Sequence, residues 1–98
     1  MEHLRQQNSE QLVVTFAMMP RQEKEKIATL AQQGDEAALD ILKRWANGRI
    51  DGVVAAYQKG IKRIDPSVGE ELFFASQFFK EFDLELSKKI LDVADLVK

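Results

Sequence analysis

Histidine and cysteine, the residue types that most often act as metal ligands, nucleophiles or general bases, are nearly absent from this chain. It has one histidine, His3, and no cysteine, which excludes thiolate metal sites, cysteine nucleophiles and disulfides. His3 lies in the polar segment before the first predicted helix, whereas general base chemistry requires a positioned partner and a sheltered pocket. We therefore expect no catalytic histidine.

Carboxylates are numerous, but their spacing does not indicate a metal centre or an acid–base pair. The closest pairs, Glu70-Glu71 and Asp92 with Asp95, are common at helix ends and on solvated faces, and no Glu-x-x-His sequence accompanies them. The glycines have neither the spacing of a phosphate-binding loop nor that of a dinucleotide fingerprint. These patterns predict a protein that is not an enzyme and holds no metal or cofactor.

Composition indicates a small soluble protein. Of the 98 residues, 45% are hydrophobic and 31% are charged, and the net charge is −2. Apolar runs extend over a few residues, against the roughly 20 that a membrane-spanning helix needs, and segment 1–7 is polar rather than signal-like. These features predict a single domain over 1–98 that is cytoplasmic and has no membrane partner.

The spacing of apolar residues predicts an all-α fold. They recur with the 3.6-residue period of a helix, and no segment alternates for long enough to form a strand. We expect a compact bundle of five to six short helices with short loops, preceded by a frayed N-terminal arm over 1–8. The predicted helices cover 9–19, 20–33, 35–47, 50–64, 66–82 and 84–97.

Capping residues and helix breakers set the predicted boundaries. Ser9, Asp35 and Asp83 are candidate N-caps, and Gly34 is a candidate stop for the second helix. Asn47-Gly48 is predicted to end the third helix. The apolar face of the fourth helix continues past Gly60 to Ile64, so that helix is expected to run through the glycine. Whether the last two helices form a hairpin or one bent rod is left open.

A basic stretch in the middle of the chain is the candidate nucleic-acid contact. Between positions 43 and 63, six bases stand against one acid. The candidate contacts are Lys43, Arg44, Lys59, Lys62 and Arg63. A helix–turn–helix interpretation is disfavoured because the second helix would open with Asp35-Glu36, which phosphates repel. The alternative is a solvated helix face or a contact with an acidic protein.

Segment 68–82 is the most informative part of the sequence, because five of the six phenylalanines lie within ten residues of it. On a helical wheel its apolar residues span about 160°, wider than the roughly 100° of a simple surface helix. Phe73 falls outside this arc and is the best candidate for an exposed aromatic residue. In the last helix Leu96 likewise lies opposite the apolar face. Either these helices form the centre of the bundle, or part of their surface is buried against another molecule.

The second alternative leads to the functional prediction. We expect a non-catalytic protein–protein interaction module, such as an adaptor, an assembly factor or a small stoichiometric inhibitor of a larger protein. Its partner is another protein or a second copy of itself, and the acidic excess of the last third favours a basic partner. The predicted partner-binding residues are Phe73, Phe74, Phe78, Phe79, Phe82 and Leu96. The competing hypothesis is a nucleic-acid-binding accessory protein that uses the basic stretch.

Overall fold

The computed structural model describes residues 2–61 and 64–97, and within these residues it contains helices and no strand. The predicted all-α fold is confirmed. The elements are α1 (Glu2–Arg5), α2 (Ser9–Met18), α3 (Arg21–Gln32), α4 (Glu36–Gln58), α5 (Pro66–Phe79), α6 (Leu84–Ala94) and a 3₁₀ turn (Asp95–Val97).

The chain divides into two units, Met1–Arg49 (unit 1) and Ile50–Lys98 (unit 2), and α4 contributes residues to both. The prediction of one domain over the whole chain stays a prediction, and each unit is described separately. Within unit 1 the core includes Phe16, whose ring meets the ring of Trp45 edge-on at a centroid distance of 5.7 Å. The other buried apolar residues of unit 1 are Leu4, Leu12, Ile27, Ala31, Ala38, Ile41 and Ala46.

The N-terminal segment that we expected to be a frayed arm contains the helical turn α1, and the side chain of Leu4 is buried. The N-cap of α2 is Asn8 rather than Ser9. Its side-chain oxygen accepts a hydrogen bond from the backbone N–H of Gln11 at 2.8 Å, and the Gln11 side chain accepts one from the Asn8 N–H at 2.9 Å. This reciprocal capping box satisfies two donors at the start of α2.

Asn47-Gly48 does not end a helix, because α4 continues through it. The Asn47 side-chain amide donates to the carbonyl of Lys43 at 3.0 Å, one turn back along the helix. At Gly48 an added Cβ would stand 2.5 Å from the carbonyl oxygen of Ser9. The glycine therefore lets the α4 backbone approach the start of α2, and this packing contact offsets the roughly 1 kcal/mol that glycine costs in a helix.

The helix does end before Gly60, contrary to the prediction that it continues to position 64. Gly60 has φ +81, its N–H donates to the carbonyl of Tyr57, and the N–H of Ile61 donates to the carbonyl of Ala56. These two bonds form a Schellman motif, in which glycine adopts the left-handed conformation at little cost. The predicted stop at Gly34 is confirmed by the same motif, with φ +99.

Unit 2 contains the α5 and α6 helices, which pack against each other as a hairpin. Asp65 caps α5 by accepting a hydrogen bond from the N–H of Ser67 at 2.9 Å, and Asp83 caps α6 as predicted, accepting from the N–H of Leu86 at 3.1 Å. The α5 helix ends at Phe79 rather than at 82, and α6 gives way to the 3₁₀ turn after Ala94. The last two helices therefore form a hairpin and not one bent rod, the two alternatives that the sequence left open.

Candidate interaction surface

The five clustered phenylalanines divide into buried, half-buried and exposed residues. Phe79 is 1% exposed and belongs to the core of unit 2, so its prediction as a partner-binding residue is corrected. Phe73 is 48% exposed, as the sequence suggested. Phe74 is 70% exposed, although the helical wheel placed it within the buried arc. The buried stripe of α5, which consists of Leu72, Ala75, Ser76 and Phe79, is therefore narrower than the apolar arc.

The side chains of Phe78 and Phe82 are occupied within the chain. The ring of Phe78 meets those of Phe79 and Phe82, each at a centroid distance of 5.2 Å. Both residues are half-buried, so they support the C-terminal end of α5 and offer a partner less surface than predicted. In contrast, Phe73 and Phe74 contact each other edge-on at 6.1 Å and form an aromatic pair open to solvent.

The line of contact between α5 and α6 is marked by two buried serines and a glycine. The Ser87 hydroxyl donates to the backbone carbonyl of Ser76 at 2.7 Å, and the two hydroxyl oxygens are 3.3 Å apart. A Cβ added to Gly69 would lie 3.5 Å from the Val97 side chain. We call this line the seam. Small residues at Gly69, Ser76 and Ser87 allow the helices to approach closely, and the buried hydrogen bond sets their register.

Exposed apolar residues border the seam on both helices. Phe73 lies four residues after Gly69 and three before Ser76, so it follows the seam edge of α5. On α6, Leu84 and Leu91 lie three residues before and four after Ser87, and both are exposed. Together with Phe74, which contacts Phe73, these residues form the seam surface: Phe73, Phe74, Leu84 and Leu91.

Sequence reasoning identified part of this surface. It found Phe73 and Phe74, but it did not single out Leu84 or Leu91 as exposed residues. The seven-residue spacing of the two leucines, on either side of Ser87, was the available signal. Leu96, the other predicted contact, is exposed in the 3₁₀ turn next to Val97.

One residue of the basic stretch, Arg44, is engaged within the chain. The guanidinium of Arg44 donates to the backbone carbonyls of Arg5 at 2.9 Å and Gln7 at 2.8 Å, and it pairs with Asp40 at 2.6 Å. Arg44 therefore holds the N-terminal turn against α4, which corrects its prediction as an anion contact. Of the remaining candidates, Lys43 is half-buried in unit 1 and Lys59 is exposed in unit 2. Lys62 and Arg63 lie outside the described residues.

The titratable groups of the described chain do not assemble into a metal site. His3 is exposed, and residues 2–61 and 64–97 contain no group of three or more histidine, cysteine, aspartate or glutamate side chains that could hold an ion. The pKa of the Asp65 carboxyl is lowered because it accepts hydrogen bonds from the backbone and side chain of Ser67. That shift belongs to a helix cap and carries no chemistry of its own.

Comparison with known proteins found no matching family model, no similar curated protein and no similar solved structure. In the described part of the chain, no helix is both long enough and apolar enough to cross a membrane.

Proposed function

We propose that this chain is a non-catalytic protein–protein interaction module that binds its partner through the seam surface. The observation that carries the proposal is the exposure of the Phe73 and Phe74 rings as an adjacent pair. Isolated exposed apolar residues are ordinary on protein surfaces, but adjoining exposed aromatic rings are typical of interaction sites. Aromatic residues are also enriched among the residues that dominate binding energy.

The exposed area is large enough to matter for affinity. A phenylalanine buries roughly 150–250 Å² when it is fully covered, and each Å² removed from water contributes about 25 cal/mol. Covering the exposed parts of both rings would therefore contribute on the order of 5 kcal/mol before the entropy of association is subtracted. Two residues of this kind can supply the centre of a moderate-affinity interface.

Such a module acts by stoichiometric binding, as an adaptor, an assembly factor or a small inhibitor does. The apolar pair supplies the anchor, and surrounding charges set orientation and association rate. Exposed charges of both signs flank the seam surface, with Glu70 on α5, Lys80 directly after it, and Lys88 and Asp92 on α6. The surface therefore suits a protein face that is apolar at its centre and charged at its rim.

The decisive experiment is a pair of substitutions, Phe73→Asp and Phe74→Asp, in the full chain. Both residues are exposed, so each variant should keep the wild-type circular dichroism spectrum and lose most association, with the dissociation constant raised at least about thirty-fold. Association is measured as solution mass by light scattering and as recovery of a bound protein, identified by mass spectrometry, on the tagged chain.

Met18→Asp is the matched control. Met18 is 82% exposed on α2 and belongs to unit 1, whereas the residues of the seam surface belong to unit 2. The same change at Met18 should therefore leave binding unaltered. Equal loss of binding in all three variants would contradict the proposal, because the effect would then follow from added charge rather than from the seam surface. Wild-type protein that forms no complex of any kind would also contradict it.

The nucleic-acid alternative has less support. It needs several cations available to phosphates, and Arg44 is engaged with Asp40 and two backbone carbonyls. Its test is whether binding to a duplex at low salt is detectable and falls steeply as salt rises. Loss of that binding in Lys59→Glu, together with full protein association in Phe74→Asp, would favour the alternative over our proposal.

A further inference from the structure

The solvent-facing side of α5 places one carboxylate beside both exposed phenylalanine rings. Glu70 lies three residues before Phe73 and four residues before Phe74. Both spacings bring side chains together on one helical face, with Cβ atoms about 5–6 Å apart. Glu70 is itself exposed, and it has no ion-pair partner among residues 2–61 and 64–97. A carboxylate that can accept hydrogen bonds from a ligand therefore stands next to the aromatic pair.

The aromatic pair has the properties that attract a cation. The face of an aromatic ring carries partial negative charge, so a cation that lies over the ring is held there electrostatically. The planes of Phe73 and Phe74 are inclined by 69°, and the edge-on contact between them covers only part of either ring. Because Phe74 is 70% exposed, most of its ring surface is available to a ligand. A cation over this ring is also within reach of the Glu70 carboxylate.

On α5, the charges within one helical turn of the pair are negative. Glu70 and Glu71 are the charged residues that lie three or four positions from Phe73 or Phe74. The other positions at those spacings, 69, 76, 77 and 78, carry no charge. The nearest base in this direction, Lys80, comes after the end of α5. This part of α5 therefore favours a positively charged ligand.

The neighbouring helix does not reverse that preference. Phe73 lies three residues before one serine of the seam, and Leu91 lies four residues after the other, so the two side chains are at nearly the same height on antiparallel helices. The charged residues three or four positions from Leu91 are one base, Lys88, and one acid, Asp95. Their formal charges cancel, so the negative charge of α5 decides the sign of the ligand.

We propose that the seam surface binds a basic segment of a partner protein, whose arginine places its guanidinium over the Phe73–Phe74 pair and donates to Glu70. This inference rests on the proposed function and names the chemistry of the partner. Arginine meets both demands of the site, because its planar guanidinium stacks on aromatic rings and donates two parallel hydrogen bonds to a carboxylate. Its aliphatic stem covers apolar ring surface at the same time.

The test uses two peptides that differ in charge, tetra-arginine and tetra-citrulline, in which a neutral urea replaces each guanidinium. Each is titrated into the full chain, and backbone amide signals in NMR spectra report both the position and the affinity of binding. The arginine peptide should shift the amide signals of residues 70–78 and bind about ten-fold more tightly than the citrulline peptide. Added salt should weaken the arginine complex, because the site is exposed.

Substitutions separate the carboxylate from the ring. Glu70→Gln keeps the size of the side chain and removes its charge, so it should weaken binding of the arginine peptide about three- to five-fold. Phe74→Leu keeps an apolar side chain and removes the ring face, with an expected loss of about two- to five-fold. Glu23→Gln, at an exposed position of α3, is the matched control and should leave binding unchanged. Circular dichroism checks that each variant keeps its fold.

Three results would overturn the inference. The first is an arginine peptide that shifts no signal or binds no better than the citrulline peptide. The second is equal weakening by Glu70→Gln and Glu23→Gln, because binding would then follow from net charge. The third is a wild-type chain that sediments as a dimer and becomes monomeric in Phe74→Asp, because the occupant would then be a second copy.

Failure of this inference is distinguishable from failure of the proposed function. If the two peptides bind equally while Phe73→Asp and Phe74→Asp still abolish association with a protein, the proposed function holds and only the cationic partner is wrong. If the arginine peptide binds as expected but neither aspartate variant alters any protein association, the result contradicts the proposed function instead.

Discussion

In unit 1 a cation lies half-buried, whereas in unit 2 an aromatic pair lies exposed to solvent. Hydropathy alone predicts the reverse for both. Arg44 lies half-buried with its guanidinium bonded to two backbone carbonyls, whereas Phe74 is 70% exposed. Arg44 is drawn inward because the turn after α1 offers carbonyls that would otherwise need water. Phe74 remains exposed because it lies outside the buried stripe of α5. The comparison shows that the groups available nearby decide a side chain's environment, whatever its polarity.

The largest expected effect on stability is the difference between removing a buried and an exposed phenylalanine of α5. Phe79→Ala removes a buried ring and should reduce the free energy of unfolding by about 3–5 kcal/mol. Phe74→Ala removes an exposed ring and should change it by less than about 0.5 kcal/mol. Urea unfolding followed by circular dichroism measures both. A similar loss for the two variants would show that Phe74 is covered by its own chain.

The two glycines of α4 extend the comparison to the backbone. Gly48→Ala places a Cβ 2.5 Å from the Ser9 carbonyl oxygen, so the helices must shift, and we expect a loss of about 1–3 kcal/mol. Gly52→Ala, on the same helix, meets nothing within 4 Å and should gain up to about 1 kcal/mol from helix propensity. Opposite signs in thermal or urea unfolding are the expected result, and two gains would show that α2 does not pack on Gly48.

Removal of the Arg44 side chain tests whether its packing is structural. Arg44→Ala should cost about 1–2 kcal/mol of unfolding free energy, because it leaves the Arg5 and Gln7 carbonyls without their donor. Arg21→Ala, which removes an exposed ion pair with Glu25, should cost less than about 0.5 kcal/mol. Hydrogen exchange at residues 3–7 should quicken in the first variant alone. Equal exchange in both would sink the interpretation of Arg44 as a clamp.

The smallest expected effect is the pH dependence of the α5 cap. The pKa of Asp65 is lowered below 3.8 in the folded chain, so its contribution to stability is present above the unfolded pKa and is lost as the pH falls through the folded pKa. Asp65→Asn keeps an N-cap acceptor without the charge, so the variant should lack this component of the acid sensitivity between about pH 5 and 2. Identical acid unfolding curves would show that the cap does not couple to pH.

Local signals in the sequence accounted for the helical class and for most helix boundaries. Gly34 and Asp83 act as predicted, because caps depend on residues three or four positions away. The errors at Gly48 and Gly60 have one cause: the same residue type serves as a packing residue in one place and as a helix stop in the other. Which role applies depends at Gly48 on the approach of Ser9, 39 positions earlier in the chain, and no local pattern reports that contact.

In the candidate site, too, some features follow from local sequence and others only from contacts between distant segments. Periodicity was enough to identify an amphipathic α5 with more apolar surface than one stripe requires, since that property belongs to a single helix. It could not tell Phe74 from Phe79, because both lie within the apolar arc and tertiary packing, such as that of α6 against Ser76, selects the covered side. The amino-acid order thus settled where the helices form and which residues are apolar. Burial was settled by contacts between distant segments, because water is excluded only where another helix lies against the chain.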